Sequence, residues 1–276
     1  MFMVAAGLTL TFGALRIINL AHGSFYMLGA YFAYALTAVL SDLPGGFMVA
    51  LVVAPVMVAA VGAFVERGLL RRIYRGDHLY QVVLTFAVLL VVSDAVLLIW
   101  GVDYKRVEAP SLLRGSFLLG SFGFPRYLLL VLGLAPLLAA GLWFLLYRTR
   151  SGRLIRAVVQ DREMAEALGI NVSRLFTLVF MLGCWLAGLG GTLVAPLISV
   201  DRSMDLGILL DAFIIVVIGG MGSFGGALVG GIILGQLQAF ATAVPALIKF
   251  AEVFPFLLMA LILLVRPQGL FGHERG

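Results

Sequence analysis

A bundle of transmembrane helices is the fold class that this sequence predicts. Three observations predict it: the composition, the length of the apolar runs, and the uneven placing of the basic residues. Hydrophobic residues make up 62% of the 276 and charged residues only 12%. A soluble domain has roughly 45–50% apolar residues and about 25% charged ones. This chain could not cover itself with polar surface, and lipid removes that requirement. Long apolar runs without strand alternation mean helices, which satisfy their backbone polar groups within the segment. The expected architecture is all-α: one polytopic membrane domain over residues 1–276, with about eight or nine spans.

Apolar runs fall at about 1–15, 24–40, 47–65, 81–100, 127–147, 175–198, 207–221, 226–244 and 250–265. A span needs roughly 20 apolar residues. The run at 1–15 is short, so it is either a partial span or the remainder of one that starts further upstream. It opens on Met1 with no basic segment before it and no small-residue cleavage site, so it is not a secretory signal.

The loops divide by charge. Alternating sides along the chain puts Arg16, Arg67, Arg71, Arg72, Arg75, six arginines in 148–174, Arg266 and Arg275 on one side, thirteen of the nineteen basic residues. The other side holds six: Lys105, Arg106, Arg114, Arg126, Arg202 and Lys249. The richer side is expected to be cytoplasmic, with the C-terminus inside and 101–126 outside. The net charge of +5 is then a matter of topology. No basic patch interleaved with aromatics points to nucleic acid. The lone Cys184 lies in an apolar run and reads as a small buried hydrophobe. His22, His78 and His273 are isolated from one another in sequence and make no metal motif.

The segment 148–174 breaks sharply from its apolar flanks. Asp161 can cap a short helix, with Glu163 and Glu166 favouring its positive start. Gly169 can end it in a left-handed conformation. A helix is expected over about Arg162–Leu168, with Met164, Ala165 and Leu168 at helical spacing. On these residues alone, an ordinary basic loop that orients the protein fits equally well.

Three strings in order carry a resemblance. They are Ile17-Ile18-Asn19-Leu20-Ala21-His22-Gly23 with Met27-Leu28-Gly29-Ala30-Tyr31, then Arg156-Ala157-Val158-Val159-Gln160-Asp161 with Glu163 and Ala167–Asn171, then Ile218–Ala227. Together they span nearly the whole chain. It resembles the permeases of bacterial branched-chain amino acid ABC transporters, more closely their H-type subunit. That family has more chain before the first string, including a further apolar segment.

The resemblance implies a type II ABC importer permease in the bacterial cytoplasmic (inner) membrane. Two permease subunits form the pathway, the second a related paralogue. Two ATPase subunits bind beneath, and a periplasmic or lipid-anchored binding protein delivers the solute. ATP and Mg belong to the ATPase, so this chain needs no cofactor and carries no catalytic residue. The loop 148–174 becomes the coupling loop, with Gln160, Asp161, Glu163, Ala167, Gly169 and Ile170 around the ATPase contact. Branched-chain or related hydrophobic amino acids are the implied solutes, with urea or short amides as the alternative within the family.

Other polar and glycine features need separate readings. Gly220, Gly222 and Gly225 match GxGxxG, but an apolar span precedes them and no acid follows until Glu252, so a dinucleotide site is excluded. No GxxxxGK phosphate loop occurs. Gly222, Gly226 and Gly230 recur every four residues, as do Gly231 and Gly235, and read as close helix packing in lipid. Asn19 and His22, beside Arg16, are either a broken helix facing the translocation pathway or a simple cytoplasmic turn. Asp94 and Asp211 lie within predicted spans and are further pathway candidates. They also sustain the rival reading, an ion-coupled secondary transporter, which would have no need of the 148–174 loop.

Overall fold

Each of the nine apolar runs folds as a helix in a computed structural model of the chain, which describes every residue except 16, 42, 44, 75, 111–112, 120–121 and 273–276. Arg16, Arg75, His273 and Arg275 therefore lie outside the described residues. The helices are α1 Phe2–Leu15, α2 His22–Val39, α3 Gly46–Val65, α5 His78–Trp100, α6 Arg126–Arg148, α9 Val172–Val194, α10 Met204–Gly219, α11 Phe224–Ala243 and α12 Phe254–Val265. A π-helical turn at Glu66–Leu70 and a short α4 at Arg71–Ile73 extend α3. Two further helices, α7 Arg150–Gln160 and α8 Arg162–Ala167, join α6 to α9.

Among the described residues, five segments are long and apolar enough to cross a membrane: Gly46–Ile73, α5, α6, α9 and α11. At about 1.5 Å per residue, 14-residue α1 and 12-residue α12 fall short of a hydrocarbon core of about 30 Å.

α9 is the central helix. Its apolar window is 72% buried, against 11% for α6, which keeps most of its surface outward. Small residues let α2 and α3 close onto α9. A Cβ on Gly191 would lie 1.9 Å from the Tyr26 carbonyl oxygen, and one on Gly29 would lie 2.1 Å from that of Gly188. The Thr192 hydroxyl donates to the Gly29 carbonyl at 3.1 Å across this contact. Cys184 is buried where Gly62 of α3 passes it, which agrees with its reading as a small hydrophobe.

One end of the bundle carries α4, α7, α8 and the turn between α10 and α11. Phe224, Ile155 and Val158 share one apolar cluster there. The C-terminal segment returns to the same end, where Leu270 and Phe271 donate from their backbone to Ile218 and Gly219. This is the basic face. At the opposite face, β1 Ser116–Leu119 and β2 Phe122–Pro125 pair as an antiparallel hairpin. The hairpin is absent from the sequence-based expectation, because strands of four residues are too short to show alternation. Lys105 pairs with Val200 in an isolated bridge that ties the α5–α6 connection to the α9–α10 connection.

Candidate functional site

The basic face presents an elbow of two helices. α7 starts at Thr149, whose hydroxyl accepts from the Gly152 amide at 3.1 Å. Its apolar face, Gly152, Ile155 and Val158, is buried. The Arg156 guanidinium folds back, donates to the Leu146 carbonyl and lies over the Tyr147 ring. It thereby caps an orphan carbonyl at the end of α6. The sequence predicts only one helix in this segment, because the apolar residues of α7 look sparse beside the flanking spans.

α8 follows after the single residue Asp161. The Asp161 carboxylate accepts from the Met164 amide at 2.9 Å and caps the helix as expected. At the other end Gly169 has φ +80°, the Gly169 amide donates to Glu166 and the Ile170 amide to Ala165. These two bonds close a helix end that favours glycine. Only Ala165 of α8 is buried, while Met164 and Leu168 are 58% and 74% exposed. They stand four residues apart on one face. Gln160, Asp161, Glu163, Ala167 and Gly169 are exposed around them, with Ile170 half-buried. An apolar pair with a polar rim on a capped helix is suited to a groove on another protein.

Asn19 and His22 lie elsewhere. Residues 17–21 do not form a turn at the basic face; they run back into the bundle. The Thr85 hydroxyl, inside α5, donates to the Ile18 carbonyl at 3.2 Å. The His22 Nε2 lies 3.0 Å from the Val4 carbonyl oxygen. Val4 is eleven residues above Leu15, or roughly 16 Å along α1. α2 therefore begins deep in the bundle, near half the depth of a core about 30 Å thick. Asn19 and His22 are buried, and both amide atoms of Asn19 and the Nδ1 of His22 have no hydrogen-bond partner among the described residues. Nothing in the local sequence shows this return, which depends on contacts with α1 and α5.

A family model described as the permease component of branched-chain amino acid transport systems matches residues 1–265. The chain belongs to that permease family. The high-affinity branched-chain amino acid transport permease BraD of Pseudomonas aeruginosa is 31% identical over 98% of this chain and 91% of its own length. Its counterpart LivH of Escherichia coli K12 is 31% identical with the same coverage. The ribose import permease RbsC of Escherichia coli K12 is 37% identical over 35% of this chain and 32% of its own length. No solved structure matches the chain. Members of this family are permease subunits of ABC transporters and not enzymes.

In this permease Asp94 and Asp211 are far from equivalent. Asp94 faces the α9–α10 connection, where Arg202 donates to it at 3.0 Å and to Ser93 at 2.8 Å. Both ends of that ion pair are at least half exposed, so it contributes only about 0–1 kcal/mol. Asp211 accepts from Gln238 at 3.0 Å between α10 and α11. Among the described residues no group of three His, Cys, Asp or Glu is placed to hold a metal. We expect Asp94→Asn to leave uptake within about twofold of the parent, as fits a surface ion pair of this size. Radiolabelled uptake checks this, and its abolition would make Asp94 a pathway residue.

The permease's glycine run divides. Gly222 lies outside α11, in the turn, with φ +84°, and its Cα approaches Gly13 of α1. It is a turn glycine and not a helix-face one, because the helix starts only at Phe224, where Ser223 caps it. Gly226 and Gly230 do face α10, meeting the backbone of Gly219 and Ile215. Gly235 has open space around it.

Glu66 stands just past the apolar run at 47–65, and its local sequence carries no sign of a role. The structure buries it completely.

Proposed function

We propose that this permease is the membrane subunit of an ATP-driven importer of branched-chain or related hydrophobic amino acids. The observation that carries the proposal is the elbow: α8 displays Met164 and Leu168 to solvent on a helix capped at both ends. Lipid does not explain them, because Asp161, Glu163 and Glu166 share the same short helix. An ATPase groove on the cytoplasmic side does. In this reading Gln160, Asp161, Glu163, Ala167, Gly169 and Ile170 surround the contact, and the basic face and C-terminus lie inside a bacterial cytoplasmic membrane. ATP and Mg stay on two ATPase subunits. A related permease completes the pathway, and a periplasmic or lipid-anchored binding protein selects the solute.

Burial of Asn19 and His22 supports a role inside the protomer, so we place them as polar anchors of the mid-depth break that shapes one wall of the pathway. The solute class follows that of the related branched-chain amino acid permeases.

The test is uptake by proteoliposomes holding the permease pair with its ATPase and binding protein. Leucine uptake should require ATP and the ATPase. Uptake that persists without the ATPase would overturn the proposal, and urea uptake in place of leucine uptake would overturn the solute class.

A further inference from the structure

A buried carboxyl is costly unless its oxygens are hydrogen-bonded. Glu66 has no exposed surface, and two hydroxyl groups from different parts of the chain meet it. The Tyr74 hydroxyl donates to Oε1 at 2.6 Å, and the Thr177 hydroxyl of α9 donates to Oε2 at 2.7 Å. Burial, and then the bond to Glu66, push the Tyr74 phenol well above its usual range, so Tyr74 keeps its proton.

The contact continues toward the elbow. The Tyr74 ring meets Phe176 edge-on at 5.5 Å. Arg162, the first residue of α8, lies 5.2 Å over the Phe176 ring and pairs with Glu166 at 3.1 Å. An unbroken path of packed groups therefore runs from α8 through Phe176 and Tyr74 to Glu66.

Glu66 is also where α3 changes its winding. The Arg71 amide bonds the Glu66 carbonyl, five residues back, and Glu66–Leu70 is π-helical. A π turn is a local insertion into an α-helix and recurs at functional sites. Losing it would turn everything beyond it by about 100°, one residue's rotation in an α-helix. A segment that can switch between two discrete windings is what a mechanical relay needs.

We propose that Glu66 is a positioning residue of the transport cycle. It holds the π turn at the base of α3 in register with α8, so that movement of α8 is passed into α3. From there Gly62 against Cys184 and Val58 against Gly188 carry it to the central helix α9. The inference rests on the reading of α8 as the ATPase-docking helix.

The test uses the complete reconstituted importer and reads solute taken up per ATP hydrolysed. Glu66→Ala should lower that ratio about tenfold, the size of one coupling contact, while the ATPase still copurifies and still hydrolyses ATP. Glu66→Gln should restore most of it. Its amide oxygen can accept from Tyr74, and its NH2 can donate to Thr177, whose hydroxyl already lies 3.1 Å from the Ser173 carbonyl. A merely structural role would lower the amount of assembled complex and leave the ratio unchanged. Tyr74→Phe serves if Glu66→Ala does not fold, since it keeps the ring contact and removes one hydrogen bond; it should lower the ratio in the same direction. A wild-type ratio in a folded Glu66→Ala or Tyr74→Phe importer overturns the inference and leaves the docking reading intact. Failure of the parent permease to bind any ATPase overturns both.

Discussion

Gly169→Val is expected to lower solute uptake about tenfold while the ATPase stays bound. Gly169 ends α8 at φ +80°, and a left-handed conformation costs a side-chain-bearing residue roughly 1–2 kcal/mol, more when it is β-branched. Apart from its chain neighbours, no described residue has an atom within 4 Å of where the Cβ would stand. The effect is therefore conformational and not a clash. To escape it, the chain must give up the bonds from Gly169 to Glu166 and from Ile170 to Ala165 that close the helix. α8 has only six residues, so losing its last turn frees Leu168 and changes how the elbow meets α9. Gly169→Asn separates this cause from simple bulk, because asparagine tolerates the left-handed region. It should keep most uptake. Substrate-stimulated hydrolysis and uptake, measured together in proteoliposomes, decide the matter. Parental values for both in Gly169→Val would remove α8 from the coupling path.

The caps of α8 were legible because their chemistry is local. An Asp that accepts from an amide three residues on, and a glycine that takes positive φ, announce themselves within ten residues. The spans were legible for a different reason, since lipid demands long apolar runs whatever the tertiary contacts. What escaped sequence reading depends on distant partners. Asp94 lies within a predicted span, and nothing near it in sequence points to its partner Arg202, more than a hundred residues away. The burial of Glu66 depends on Thr177, more than a hundred residues away, as well as on Tyr74. The return of residues 17–21 into the bundle is held by Thr85 and Val4, neither of them a sequence neighbour. Gly222 was misplaced by four-residue spacing alone, which cannot tell a turn from a helix face.

The second large effect is expected in the core. Gly191→Leu should abolish accumulation of folded permease in the membrane. A Cβ there would stand 1.9 Å from the Tyr26 carbonyl oxygen and 3.0 Å from the Ala30 amide nitrogen. Both are backbone atoms of α2, so no side-chain rotation relieves the clash. The helices would have to part, and the α2–α9 contact would lose the Thr192 bond to Gly29 with them. Ordinary overpacking costs about 1–3 kcal/mol, and separating two helices forfeits more, because close packing drives helix association in lipid. Gly235→Leu is the matched control: it makes the same substitution in a spanning helix, at a position with nothing within 4 Å. It should accumulate like the parent. Detergent-solubilised protein run on a size-exclusion column, followed by a fused fluorophore, reads both variants at once. A monodisperse Gly191→Leu peak of parental height would mean that α2 and α9 do not approach as closely as the glycines allow. Loss of both variants would instead trace the sensitivity to leucine in any span, and not to this crossing.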